Sequence, residues 1–246
     1  MGEISLKAEK IVEVLGFPIT NALLMSWVTI VVLLAVFYFA LRNLRLVPRG
    51  LQNVIEVVYE EVLAFIDLIT GERSRSEHFF GLSFTLFIFI LASNWLGIIP
   101  GVGSIGFYQK EAGKEVFIPL ARSANSDLNM TLALAIISVI ATHIMGARLR
   151  GFCAHIKKYF DFSGPIQFFV GILELVGEGA KIISFSFRLF GNIFAGEVLL
   201  IIIALLSPFI APIPFLGLEL FVGLIQAIIF ATLTLVFLNI AASEHH

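Results

Sequence analysis

The sequence predicts an all-α polytopic membrane protein, and three observations lead there. Hydrophobic residues fill 59% of the 246 positions and charged residues only 14%, too little charge to cover a soluble domain of this length. Mean hydropathy is +0.98. The apolar residues fall in long runs rich in Phe, Leu and Ile, with no alternation of the outer-membrane barrel type. A formal net charge of −2 argues against a nucleic-acid partner. The single cysteine, Cys153, excludes an internal disulfide and reads as a loop or interface thiol. The first segment, Met1 to Gly16, mixes Glu3, Lys7, Glu9, Lys10 and Glu13 with apolar residues and lacks the pattern of a signal peptide.

The first span is Leu23 to Leu41, an uncharged run of the length needed to cross about 30 Å of hydrocarbon. Arg42, Arg45 and Arg49 follow it, so that end is expected in the cytoplasm and the N-terminus outside. Leu51 to Ile69 differs in kind. Gln52, Asn53, Glu56, Glu60 and Asp67 share one sector of a helical projection, while Val54, Ile55, Val58, Val62, Phe65, Ile66 and Ile69 lie away from it. This is an amphipathic interfacial helix. Its acidic polar face does not suit anionic lipid, so docking against another helix or subunit is expected.

The second span runs from Phe79 to Ile99 and stops at Pro100-Gly101; His78 stands at its mouth. A glycine-rich loop of mixed charge reaches Ser126 and is expected outside. Ser126 or Asp127 can cap the third span, Leu128 to Ala147, after which Arg148, Arg150, Lys157 and Lys158 mark the inner side. From Pro165 to Leu206 the apolar pattern is unbroken by proline. As one helix at about 1.5 Å per residue it would measure about 63 Å, roughly twice the hydrocarbon thickness. A long, strongly tilted helix is therefore expected. Pro208, Pro212 and Pro214 then turn the chain, and Leu216 to Ala241 returns it toward Glu244, His245 and His246. These two helices would form a hairpin, and the chain 1–246 reads as a single membrane domain.

Glu174, Glu178, Lys181, Arg188 and Glu197 lie inside the Pro165–Leu206 stretch. Ionisable groups at such depth are costly and mark ion pathways. The half from Ile182 onward gains about 5 to 10 kcal/mol from its apolar residues, against roughly 5 to 7 for Arg188 and Glu197, so it can insert. The half before it cannot, and must lie near the surface or against protein and water. In helical phase Glu174, Glu178, Lys181, Arg188 and Asn192 share a stripe about 80° wide, and Glu197 is about 180° from Arg188. That layout suits two offset half-channels with a fixed cation between them. On the last helix Glu219 and Gln226 share a face with Gly223, which would permit close helix approach, and Glu219 could meet Glu197 across the hairpin.

Plainer readings stand beside these. Glu178 and Lys181 are spaced for a simple ion pair, and Glu174 suits a surface acid. Asn192 and Gln226 suit interhelical hydrogen bonds. Asn94 suits either such a bond or an outer access path. His143 is expected to sit in the last turn of its helix as a partner of the C-terminal dipole rather than as a relay.

The run Ser186-Phe187-Arg188-Leu189-Phe190-Gly191-Asn192-Ile193-Phe194-Ala195-Gly196-Glu197 resembles the signature of the a subunit of F-type ATP synthases. Asn125-Ser126-Asp127-Leu128-Asn129 and Gln226-Ala227 with Ile229-Phe230 extend the resemblance over most of the chain. It implies a non-catalytic stator subunit of the membrane sector, partnered by c-ring subunits, b subunits and the rest of the complex, in a bacterial inner membrane or a mitochondrial one. It implies that Arg188 is the arginine facing the rotor, Asn192 its polar neighbour, Glu197 and Gln226 residues of the outer half-channel, Glu174 an acid of the cytoplasmic half-channel and Lys181 a lysine between the two. Where some relatives carry histidine seven residues before the glutamine, this chain has Glu219, so two carboxylates would share the relay. No cofactor is implied. The alternatives are a sodium-translocating version, a proton-coupled secondary transporter with paired repeats and broken helices, and a membrane scaffold whose charges serve assembly alone.

Overall fold

The structure, a computed structural model, describes residues 8–243 except 15, 100, 102–104, 112–113, 152–158, 160–162 and 209. Glu3, Lys7, Pro100, Cys153, Lys157, Lys158, Glu244, His245 and His246 lie outside the described residues. The chain begins with a hairpin of β1 (Lys10–Val14) and β2 (Phe17–Thr20), which leads directly into α1 (Asn21–Leu41). Then come α2 (Leu51–Thr70), α3 (Arg73–Ile98), a second hairpin of β3 (Gly106–Glu111) and β4 (Lys114–Pro119), and α4 (Leu128–Arg150). The long pair α5 (Pro165–Leu206) and α6 (Pro212–Ser243) closes the chain. Five of these helices, all but α2, are long and apolar enough to cross a membrane.

The helical, polytopic reading therefore stands, and the two antiparallel hairpins are additions to it. Each joins an element to the mouth of the bundle: Asn21 Nδ2 donates to Pro119 O at 3.4 Å, tying the start of α1 to the end of β4. Helix ends follow local chemistry. The Thr20 hydroxyl accepts from Leu23 N at 3.3 Å, and Asp127, rather than Ser126, caps α4 by accepting from Asn129 N at 3.1 Å. Gly71 ends α2 in the left-handed region at φ 70°, where a side chain would be strained. The expected boundaries of two spans shift. α3 starts at Arg73 rather than Phe79, and its first turn carries an exposed pair of Arg73 with Glu77. α4 runs past Ala147 to Arg150.

α2 docks on protein, as its acidic polar face suggested. Ile66 packs with Phe79 of α3 and with Leu235 and Leu238 of α6. Gln52 is not on a wet face: it is buried, and its amide brackets both backbone atoms of Arg45, fixing the connection from α1. The main core joins α3, α4, α5 and α6 through Leu86, Ile90, Leu134, Phe185, Leu189 and Phe230, among others. Lipid tails are as apolar as these side chains, so packing and buried hydrogen bonds hold such helices together. Two hydroxyl pairs serve here: Thr131 with Ser186 at 3.1 Å and Ser138 with Thr234 at 2.7 Å. Each is worth about 0.6 kcal/mol in such settings.

α5 is one unbroken helix over 42 residues. It is also the least covered of the five, with 17% of its most apolar window buried. Its face toward α4 and α6 is closed; its other face is open along its whole length.

Candidate functional site

The uncovered face of α5 carries Arg188. The guanidinium is exposed, reaching Ser184 Oγ at 3.4 Å, and Asn192 Nδ2 donates back to the Arg188 carbonyl at 3.0 Å. Asn192 is thus bonded within its own helix and not across to another. Gln226 of α6 is buried and borders a small gap of about 10 Å³ together with Arg188, Phe185 and Phe230. Around Arg188 the open face is lined by Ala180, Ser184, Gly191 and Ala195. A Cβ placed at Gly177, Gly179 or Gly191 would meet nothing within 4 Å. Packing among the described residues does not require those glycines.

Toward the Leu206 end, α5 and α6 enclose a cavity of about 300 Å³ with α3 and the segment after β4. Asn94, Glu197 and Glu219 all line it. The two acids expected to meet across the hairpin thus face one cavity. Asn94 is both structural and lining: its Nδ2 donates to Gly223 O at 3.0 Å and its Oδ1 accepts from Asn125 Nδ2 at 2.7 Å. Gly223 permits this contact, since a Cβ there would lie 3.0 Å from Asn94 Cβ. Glu219 is 7% exposed, and its Oε2 is buried without a hydrogen-bond partner among the described residues. Its other oxygen presses against Gly196, where a Cβ would fall 2.7 Å away.

Glu219 also lines a second cavity of about 200 Å³, whose other walls include Asn192, Ala195, Gly196 and Leu199. One carboxylate thus stands between the cavity at the mouth of the bundle and a cavity opening beside Asn192 on the uncovered face. Nothing else in the two linings is ionisable and common to both.

The Pro165 half of the polar stripe is arranged differently. Glu178 and Lys181 pair at 2.7 Å, and Lys181 Nζ sits 4.3 Å from the centroid of Phe237. His143 corrects its expected role. Because α4 continues two turns beyond it, its ring is not at the helix end; Nε2 faces Glu178 Oε2 at 3.5 Å instead. Tyr159 joins the group, donating to Glu178 Oε1 at 3.5 Å. Glu174, one turn nearer the start of α5, is half-buried. The stripe thus divides: α4 and α6 cover Glu178 and Lys181, while Arg188 and Asn192 stay open. His78 is exposed, its Nδ1 bonded to Ser74 O.

Sequence reasoning missed Arg122. It lies between β4 and α4, lines the larger cavity, and its Nε donates to Glu197 Oε1 at 3.1 Å and Oε2 at 3.3 Å. The signal was present, since Arg122 is the lone charge between Glu115 and Asp127, but a loop offers no periodicity to read.

Fold and site together define a polytopic helical membrane protein with ionisable groups spaced along one long, half-uncovered helix. Residues 23–239 match the family model described as ATP synthase A chain. The chain is 37% identical over 225 residues to ATP synthase subunit a of Syntrophobacter fumaroxidans, covering 90% of this chain and 84% of that one. It is 35% identical to ATP synthase subunit a of Trichlorobacter lovleyi, with 92% and 89% covered. Against ATP synthase subunit a of Moorella thermoacetica it is 32% identical, with 90% of each covered. The chain belongs to the ATP synthase A chain family.

Proposed function

We propose that this chain is the stator of the proton-driven membrane motor of a bacterial rotary ATP synthase, with Arg188 separating two half-channels. The observation that carries the reading is Glu219. It borders the cavity at the mouth of the bundle and also the cavity beside Asn192, one helical turn from Arg188. A proton entering the first cavity past Asn94 and Glu197 has a carboxylate to ride across the barrier between them.

The uncovered face of α5 suits a rotor of closely approaching helices, which would be the c-ring. Its unneeded glycines and small residues would allow near contact, and the exposed Arg188 would meet each rotor carboxylate as it passes. An arginine is always charged and cannot itself relay a proton. It would therefore draw the rotor group into its ionised form and bar direct passage between the two paths. The group of Glu178, Lys181, His143 and Tyr159, with Glu174 a turn away, would line the exit on the cytoplasmic side. Each charge crossing about 100 mV releases about 2.3 kcal/mol, so several must be gathered per ATP.

The chain performs no covalent chemistry in this scheme; nucleotide chemistry belongs to other subunits. b subunits would hold it still, with the N-terminus outside and the C-terminus cytoplasmic. A bilayer about 30 Å thick cannot contain a 42-residue helix upright, so α5 would lie inclined around the rotor. The secondary-transporter alternative requires broken helices at midplane, whereas α5 has no break. We take the proton as the ion carried. Synthesis in vesicles driven by a sodium gradient with a protonophore present would reverse that choice.

In the reconstituted complex, Arg188→Ala is expected to abolish proton-driven ATP synthesis. An unchanged rate would refute the reading, and an unchanged rate in Arg188→Lys would favour the scaffold alternative.

A further inference from the structure

We infer that Arg122 is a positioning residue of the entry path: it occupies the Glu197 carboxylate, leaving Glu219 as the acid that carries the proton. This rests on the proton-path reading above. The larger cavity holds two acids and one guanidinium, and the geometry treats the acids unequally. Arg122 Nε contacts both oxygens of Glu197, and the arginine side chain is only 9% exposed. Glu219 has an oxygen buried without a partner among the described residues. Asn94, on the same cavity, is held by Gly223 and Asn125, its Nδ2 donating to Gly223 O and its Oδ1 accepting from Asn125 Nδ2.

The arginine is held in place from several sides. β4 ends with Leu120 N donating to Ile105 O at 2.8 Å. The next residue but two, Ser123, lies so close to α3 that a Cβ on Gly97 would fall 2.5 Å from Ser123 Cβ. The guanidinium carbon lies 5.8 Å from the centroid of Phe194, one turn before Glu197. A buried charge stripped of its partner is heavily penalised, more than the intact pair is worth. Arg122 therefore cancels the Glu197 charge at the cavity wall, where its own side chain is 9% exposed. During transport the proton passes from water in the cavity to Glu219, then to the rotor carboxylate beside Asn192. Arg122 and Glu197 stay paired and take no part in the transfer.

The test measures proton-driven ATP synthesis by the reconstituted complex, normalised to the amount of this chain retained in it. Arg122→Gln is expected to lower the rate by roughly tenfold or more, because it strands the Glu197 charge. Adding Glu197→Gln to it should restore the rate to within about threefold of the unsubstituted protein, since the stranded charge is then gone. Glu219→Gln should stay inactive with or without those changes. If Arg122→Gln fails to assemble, Arg122→Lys and the double variant decide: both keep the cavity charge balanced and should assemble and turn over. Glu197→Gln alone strands the Arg122 charge and should lower the rate as Arg122→Gln does; a double variant no better than either single variant would overturn the proposal. Full activity in Arg188→Ala would instead sink the proton-path reading, and the charge-pair rescue would be judged separately.

Discussion

Gly196 is the glycine on which the Glu219 carboxylate depends. The side chain rests where a Cβ would stand, 2.7 Å from its Oε1. Gly196→Ala must therefore push Glu219 off its position between the two cavities. A displacement of about 1 Å in a transfer group can cost up to a hundredfold in rate, so we expect proton-driven synthesis to fall by roughly tenfold to a hundredfold. Gly191→Ala makes the contrast, since its Cβ meets nothing among the described residues. Loss of activity there, with the complex still assembled, would report contact with a neighbouring subunit. At this scale much was legible in the sequence. Arg188, Asn192, Glu197, Glu219 and Gln226 stand out because charge and amide groups are rare inside apolar runs. Arg122 and the His143–Glu178 contact were not, for a plain reason: both depend on which elements meet, and periodicity within one helix does not report that.

At the scale of elements, the spans were readable from length and hydropathy, and their ends from charge and caps. The hairpins β1–β2 and β3–β4 escaped because both are short and bounded by glycine, as an irregular loop would be. Their importance lies in what they carry. β4 delivers Arg122 and Ser123 to the cavity, and Ser123 packs onto Gly97 of α3 with no room to spare. Gly97→Ala forces the Ser123 backbone away, since the clash is with Cα and Cβ rather than a flexible tip. Overpacking of this kind costs about 1 to 3 kcal/mol. We expect lower retention of the chain in the detergent-purified complex on heating, together with slower synthesis. Normal thermal retention would show that this close contact is not what seats the segment. Opening α2 should be milder. Ile66→Ala removes a buried side chain from its contact with Phe79, Leu235 and Leu238 and is expected to weaken assembly without stopping proton flow.

Across the whole molecule, the division is between a covered bundle and a single long helix with one side open. The covered side of α5 joins it to α4 and α6; the open side presents Arg188 with small residues around it. Ionisable groups then fall into two sets, one at the mouth with Glu197 and Glu219, the other near the Pro165 end with Glu178 and Lys181. Arg188 stands between them along the helix. Separate access to these sets is the central claim, and thiol labelling tests it most directly. With Cys153, the only cysteine, replaced by serine, single cysteines at Leu200 and at Lys181 would be exposed to a membrane-impermeant thiol reagent from one side at a time. Leu200→Cys, lining the larger cavity, is expected to react only from outside, and Lys181→Cys only from the cytoplasmic side. Labelling of either position from both sides would show a continuous pore and contradict separate access.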